Sequence, residues 1–270
     1  MRRLVVKCCL AWMLIAPAAS AQHGREAAAE ELVAAVADHR LVLLGEMHGT
    51  REIPMLVGDV VERMSRSEPV LLALEIHSGE HARLAAYMDG DGSAAQRESL
   101  RKSPFWSVAP ERNDGRRSED MLDLVERVRG LRESGRDVAI LPFDVSGGVS
   151  RGSQWRDQAM AAHLRSAYGA LPRGRLLALT GNVHAMRERP GYAPPQLQEP
   201  MGAYLQDLAP LSVEISAREG AFHACTVDGC GPVPVGHAGT AGAQRDGSPF
   251  HHRIVLLRFT PARQVGQATD

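Results

Sequence analysis

The chain lacks any apolar stretch long enough to cross a bilayer. The run between Cys8 and Ala19 falls short of the roughly 18 residues a membrane helix needs, and no later segment approaches that length. It also lacks an excess of either charge, with 31 Lys+Arg against 32 Asp+Glu, so no global field would recruit nucleic acid or an acidic membrane surface. No Pro-, Gly- or Ser-rich linker divides it, and one large α/β domain is the default for its length. Cysteine is scarce. Of the four, Cys8 and Cys9 sit near the start and Cys225 and Cys230 form a close pair.

What is present at the start is an export pattern. Arg2, Arg3 and Lys7 precede or interrupt an apolar run that ends in Ala19-Ser20-Ala21, the small-residue pattern a signal peptidase accepts. Residues 1–21 are therefore expected to be a signal peptide and residues 22–270 a single domain, periplasmic or secreted. Cys8 and Cys9 would leave with the peptide. In an oxidising compartment Cys225 and Cys230 are most simply a disulfide closing the Thr226-Val227-Asp228-Gly229 turn. A two-thiol metal site and two free thiols are the other readings.

Short, continuous apolar runs at residues 41–44, 70–74, 138–141 and 176–179 have the character of strands buried on both faces. Helical spacing fills the intervals, at residues 25–39, 52–64, around Leu84, Ala85 and Met88, and at residues 121–132 and 154–168. Two further strands are expected at residues 211–215 and 254–259. Strand then helix, repeated, predicts an α/β fold: a mostly parallel, twisted sheet with helices on both faces, plus a hairpin-like C-terminal extension. Residues 90–117 read as a helical excursion with a loop over the sheet, residues 112–120 as a solvated loop of mixed charge, and residues 229–247 as a mobile loop.

Four of the apolar strands stop at polar clusters: Gly45-Glu46-Met47-His48, Glu75-Ile76-His77, Asp144, and Gly181-Asn182-Val183-His184. Open α/β sheets bind ligands beyond the carboxyl ends of their strands, so parallel neighbours would bring these ends together. Each residue alone has a plain structural explanation as a helix cap or a surface side chain. The recurrence of apolar strand, Gly, polar residue, apolar residue and His in two distant places favours a site. Two imidazoles with carboxylates can hold a divalent ion or pair a general base with the carboxylate that orients it. His77 and His81 need not share a face, and the adjacent His251 and His252 point apart on a strand, so both pairs are set aside.

The residues Leu43-Leu44-Gly45-Glu46-Met47-His48-Gly49 with Glu52, Ala73-Leu74-Glu75, Arg156-Asp157-x-x-Met160-Ala161 and Thr180-Gly181-Asn182-Val183-His184-Ala185 resemble one superfamily. It contains the Tiki and TraB proteins, the erythromycin esterases and the ChaN-like haem-binding proteins, and the likeness runs over residues 41–208. The Glu46-Met47-His48 spacing is similar to the ChaN and Tiki pattern and one residue shorter than the erythromycin-esterase motif. The resemblance implies either water activation in a Glu/His-rich cleft, with or without a metal, or haem binding without catalysis.

The expectation is thus a hydrolase of an ester or amide bond, acting on a small molecule or a peptide. His48, His184, Glu46 and Glu75 would hold a divalent ion or position a water, with Glu52 or Glu75 as general base. Asp144, Arg156, Asp157 and Asn182 would contact substrate or the site's carboxylates. A serine nucleophile is not expected. The alternative is a haem carrier, with Tyr87, Tyr168, Tyr192 or Tyr204 offering an axial oxygen. Neither reading calls for nucleic acid or a transmembrane segment.

Overall fold

A computed structural model of the protein describes residues 17–146, 148–191, 193, 195 and 198–266. Residues 1–16 of the expected signal peptide, and Tyr192, lie outside the described residues. The helices are α1 (Pro17–Ala35), α2 (Glu52–Met64), α3 (His81–Met88), α4 (Ala94–Arg101), α5 (Glu119–Glu133), α6 (Gly148–Arg151), α7 (Ser153–Ala170) and α8 (Asn182–Ala185). The strands are β1 (Leu41–Glu46), β2 (Val70–His77), β3 (Val138–Asp144), β4 (Arg175–Gly181), β5 (Leu211–Thr226), β6 (Gly229–Pro234), β7 (Gly242–Ala243) and β8 (His252–Phe259). The expected cleavage point after Ala21 falls inside α1. Among the described residues no helix is long and apolar enough to cross a membrane.

The sheet runs in the order β3-β2-β4-β1-β5-β8-β7. Every pairing along this order from β3 through β8 is parallel, while the short β7 runs against β8 and β6, off this path, runs against β5. The two-sided burial expected of the apolar runs follows from the pleat: Val42 and Leu44 enter one core with Leu72, Leu74, Leu177 and Leu179, while Leu41 and Leu43 enter the other with Ala73, Leu176 and Ala178. Helices α1, α2, α3 and α5 supply the first core through residues such as Leu32, Val57, Leu84 and Val125. Helix α7 and the 3₁₀ helix Met201–Leu208 supply the second through Met160, Leu164, Met201 and Leu205.

Strand β5 is three times the length the sequence suggested, because after pairing β1 and β8 it continues as one arm of a hairpin with β6. The stretch 229–247, expected as a mobile loop, instead contains paired strands at residues 229–234 and 242–243. Pro232 and Pro234 are tolerated because β6 pairs only with β5, so their missing N–H groups break no second ladder. Cys225 and Cys230 face each other across this hairpin and are joined as a disulfide.

Candidate functional site

Strands β3, β2, β4 and β1 are adjacent and parallel, and their carboxyl ends carry Asp144, Glu75, Gly181 and Glu46 to one edge of the sheet. The register sets Glu46 beside Gly181 and Gly45 beside Thr180. A Cβ at Gly181 would come within 2.9 Å of His48 Nε2 and 3.5 Å of His184 Cδ2, so both imidazoles stand over this glycine. Conversely, a Cβ at Gly45 would meet Asn182 Cα and Ala185 Cβ, each at 3.1 Å. The glycine of each motif makes room for the other motif. Gly181 sits at φ −53° and ψ 141°, which any residue adopts, so space rather than backbone freedom requires it.

Two histidine–carboxylate pairs flank this centre. His48 Nδ1 lies 2.8 Å from Glu46 Oε1, and His184 Nδ1 lies 2.7 Å from Asp157 Oδ1. Glu46 and Asp157 are buried, while the histidine side chains keep 22% and 18% of their surface exposed. An ionised carboxylate only accepts, so His48 donates from Nδ1 and its Nε2 carries the lone pair when the ring is neutral. Nε2 lies 3.7 Å from Glu75 Oε2, too far for a direct hydrogen bond. His184 differs: its Nε2 accepts from Arg156 Nη1 at 2.8 Å, because a guanidinium can only donate.

Glu75 is the hub. Its Oε2 accepts from Thr180 Oγ1 at 2.6 Å and from the Gly181 amide at 2.7 Å, and its Oε1 from Arg116 Nη1 at 2.9 Å and Arg156 Nη2 at 2.5 Å. Asp144 accepts from the same two arginines, from Arg156 Nε at 2.8 Å, Arg156 Nη2 at 2.9 Å and Arg116 Nη1 at 3.4 Å. Burial alone would raise the Glu75 pKa, but the two histidines and two guanidiniums around it hold it well below the ordinary carboxylate value. Burial works against a charge on His48 as well. Glu75 and Glu46 outweigh that and raise its pKa above the ordinary imidazole value.

The structure therefore brings Glu46, His48, Glu75, Asp144, Arg156, Asp157 and His184 into one cluster. Asn182 stands at its margin, its side-chain amide 3.5 Å from Met47 Sδ. Glu52 is not in the cluster: its Oε2 accepts from the Thr260 amide at 2.8 Å, tying the start of α2 to the end of β8. Arg116 is the residue the sequence did not single out. The mixed-charge run expected to be a solvated loop instead turns at Gly115, at φ +94°, and sends Arg116 into the carboxylates. Its local partner Asp114, bonded to Nε and Nη2, makes the run look self-paired.

These residues do not fit a divalent ion. Both oxygens of Glu75 are taken, and the nitrogen of His184 that its bond to Asp157 leaves over faces a guanidinium. Two cationic groups already stand among the carboxylates where a cation would have to sit. Among the described residues no group of three or more His, Cys, Asp and Glu has a metal-binding arrangement. Three of the tyrosines considered for haem, Tyr87, Tyr168 and Tyr204, have their partners outside the cluster. Tyr87 donates to Glu126 on α5, Tyr168 stacks under Arg40 before β1, and Tyr204 meets Gln154 and Gln158. One run, Gly148-Val149-Ser150-Arg151-Gly152, has the spacing of a serine-hydrolase elbow, but Ser150 lies exposed on the short helix α6 rather than in a sharp strand-to-helix turn.

The packing of the two imidazoles over Gly181 gives a first expected result. Gly181→Ala should fold, since the backbone is ordinary there, yet the added methyl must push the His48 ring aside. Displacement of this kind costs about 10²-fold in rate. A thermal melt close to wild type with unchanged turnover would show that His48 does not need its present position.

No family model and no curated protein matches the sequence. Solved structures do. A succinoglycan biosynthesis protein superposes with a TM-score of 0.59 at 11% identity, covering 92% of this chain and 100% of that one. An erythromycin esterase mutant, EreC, in its open conformation gives 0.57 at 13% identity over 89% and 91% of the two chains. The type III effector HopBA1 gives 0.53 at 17% identity over 85% and 93%. The chain thus has the α/β fold shared by an erythromycin esterase and HopBA1, as the sequence resemblance implies.

Proposed function

We propose that the protein is an exported hydrolase of an ester or amide bond in which His48 is the general base. The observation that carries the reading is the Glu46–His48 pair, with Nδ1 committed to a buried carboxylate and Nε2 left over Gly181 on a partly exposed ring. The fold shared with an esterase is consistent with it, but reaction and ligand have to be argued from the site. His48 Nε2 takes a proton from water as the water oxygen bonds to the carbonyl carbon. The carbonyl oxygen becomes an oxyanion. Collapse breaks the bond to the leaving alcohol or amine, which takes the proton back from His48.

The arginines supply the charge that the oxyanion needs. A guanidinium has five N–H donors. Among the described residues Arg156 spends four of them on Asp144, His184, Glu75 and Asp144 again, and Arg116 spends four on Asp114, Glu75, Asp144 and Asp114 again. One donor on each remains for the developing charge, in a frame of carboxylates that fixes both groups beforehand. The His184–Asp157 pair holds Arg156 in that frame.

The test is a panel of ester and peptide substrates followed across pH. Because the pKa of His48 is raised, its neutral form is lost as pH falls through a value above the ordinary ~6.5, and kcat/KM should fall there. Glu46→Gln removes one of the charges that raise it, so the acid limb should move to lower pH. A limb that stays in place in that variant is incompatible with His48 as the base. Haem titration provides the counter-outcome: no turnover on the panel with a stoichiometric Soret band favours the carrier. Export is tested by N-terminal sequencing of protein recovered outside the cytoplasm, expected to begin at Gln22.

A further inference from the structure

The segment that delivers Arg116 is held from behind by the β5–β6 hairpin. Asn113, buried, shapes the turn with its side chain: Oδ1 accepts from the Gly115 amide at 3.2 Å and Nδ2 donates to the Arg117 carbonyl at 2.8 Å. Its backbone carbonyl accepts from His223 Nε2 on β5 at 3.0 Å. The amide of His223 donates to the Gly49 carbonyl at 2.8 Å, next to His48. Three strands of backbone touch here, since a Cβ at Gly115 would lie 2.4 Å from the His223 carbonyl oxygen and 2.6 Å from Gly49 Cα. The disulfide lies against the same segment. Cys225 Sγ is 3.4 Å from the Asn113 carbonyl oxygen, and Cys230 Sγ is 3.0 Å from that of Glu111.

We propose that the Cys225–Cys230 hairpin is a redox-sensitive buttress that positions Arg116, with His223 as the positioning residue that transmits its hold to the site. The bond ties the arms near the turn end of the hairpin, one pair, Thr226 with Gly229, before the exposed turn at Val227 and Asp228. Reduction by a dithiol breaks the S–S bond. The dithiol delivers two electrons and two protons, leaves thiols at Cys225 and Cys230, and closes its own disulfide. The two arms are then held by the turn and by the ladder of a short hairpin with two prolines in β6, which is marginal by itself. Loss of its rigidity releases the Asn113 carbonyl and lets the Arg116 turn relax. The core strands β1 and β4 take no part, because the hairpin packs on the loop and not on them.

The proposal rests on the hydrolase reading only for its kinetic consequence, and the experiment separates the two. Amide hydrogen exchange is measured on the full oxidised chain, on the same protein with dithiothreitol, and on Cys225→Ser/Cys230→Ser. Exchange at Gly115 and Arg116 is expected to rise about tenfold in both reduced forms with β1 and β4 unchanged. His223→Ala should do the same without reductant, and His223→Gln, whose side-chain amide can donate in place of Nε2, should restore protection. Unchanged exchange in residues 111–118, or an equal rise in β1 and β4, overturns the buttress. Where a substrate is turned over, reduction should lower kcat more than it changes KM; a loosened loop with kcat intact removes the link to Arg116. If neither redox state hydrolyses anything, the hydrolase reading fails and exchange alone decides.

Discussion

Glu75→Ala is expected to cost about 3–5 kcal/mol of stability, because it leaves two largely buried guanidiniums short of a shared carboxylate. The Thr180 hydroxyl and the Gly181 amide lose their acceptor at the same time. Asp144 and Asp114 still neutralise part of the charge, which places the effect towards the lower end. In a domain of this size the melting temperature should fall by roughly 10 °C. The pH dependence has a definite sign. The folded-state pKa of Glu75 is depressed, so its contribution is fully present above the unfolded value of about 4.3 and is lost only as pH falls through the lower folded value. Because Glu75 also raises the pKa of His48, the difference between wild type and variant should widen as pH falls through that raised value, hold to about pH 5, and shrink only in stronger acid. A variant that melts with wild type would mean that the arginines do not depend on Glu75.

His48→Asn carries the largest kinetic effect. Asn can still present an N–H near the place of Nδ1, so the buried Glu46 keeps a donor, while Nε2 disappears. The loss in kcat should be about 10²–10⁴, the range of a general base, with stability close to wild type. His184→Asn retains a donor to Asp157 in the same way but removes the acceptor of Arg156. It should lower kcat less, since it disturbs the orientation of a charge rather than removing the base. Equal losses in the two variants would argue against assigning the base to His48 alone.

The strands and their polar ends were legible because burial on both faces leaves an unbroken apolar run, and such runs stop where the chain meets solvent at the sheet edge. Glu46, His48, Glu75, Asp144 and His184 were found in this way. The sheet order was not legible: nothing local says that β4 inserts between β1 and β2, although this insertion is what sets Gly181 beside Glu46. Arg116 was hidden for a different reason. Its sequence neighbours Asp114 and Arg117 suggest local pairing, whereas Glu75 and Asp144, the partners that draw it inwards, lie on separate strands. Glu52 was misjudged because an acidic residue in the first turn of a helix looks the same whether it faces a cleft or, as here, a backbone amide of β8. Gly- and Pro-rich β6 has the composition of a loop, and only its pairing with β5 makes it a strand.

The exchange of space between Gly45 and Gly181 makes the two motifs a single structural unit. A side chain gained at either glycine would be felt first by the segment that did not change, so the effects of substitutions in the two motifs should not add. A graft of this centre onto another parallel sheet would have to carry both strand ends, in this register, or neither histidine would stand where it does.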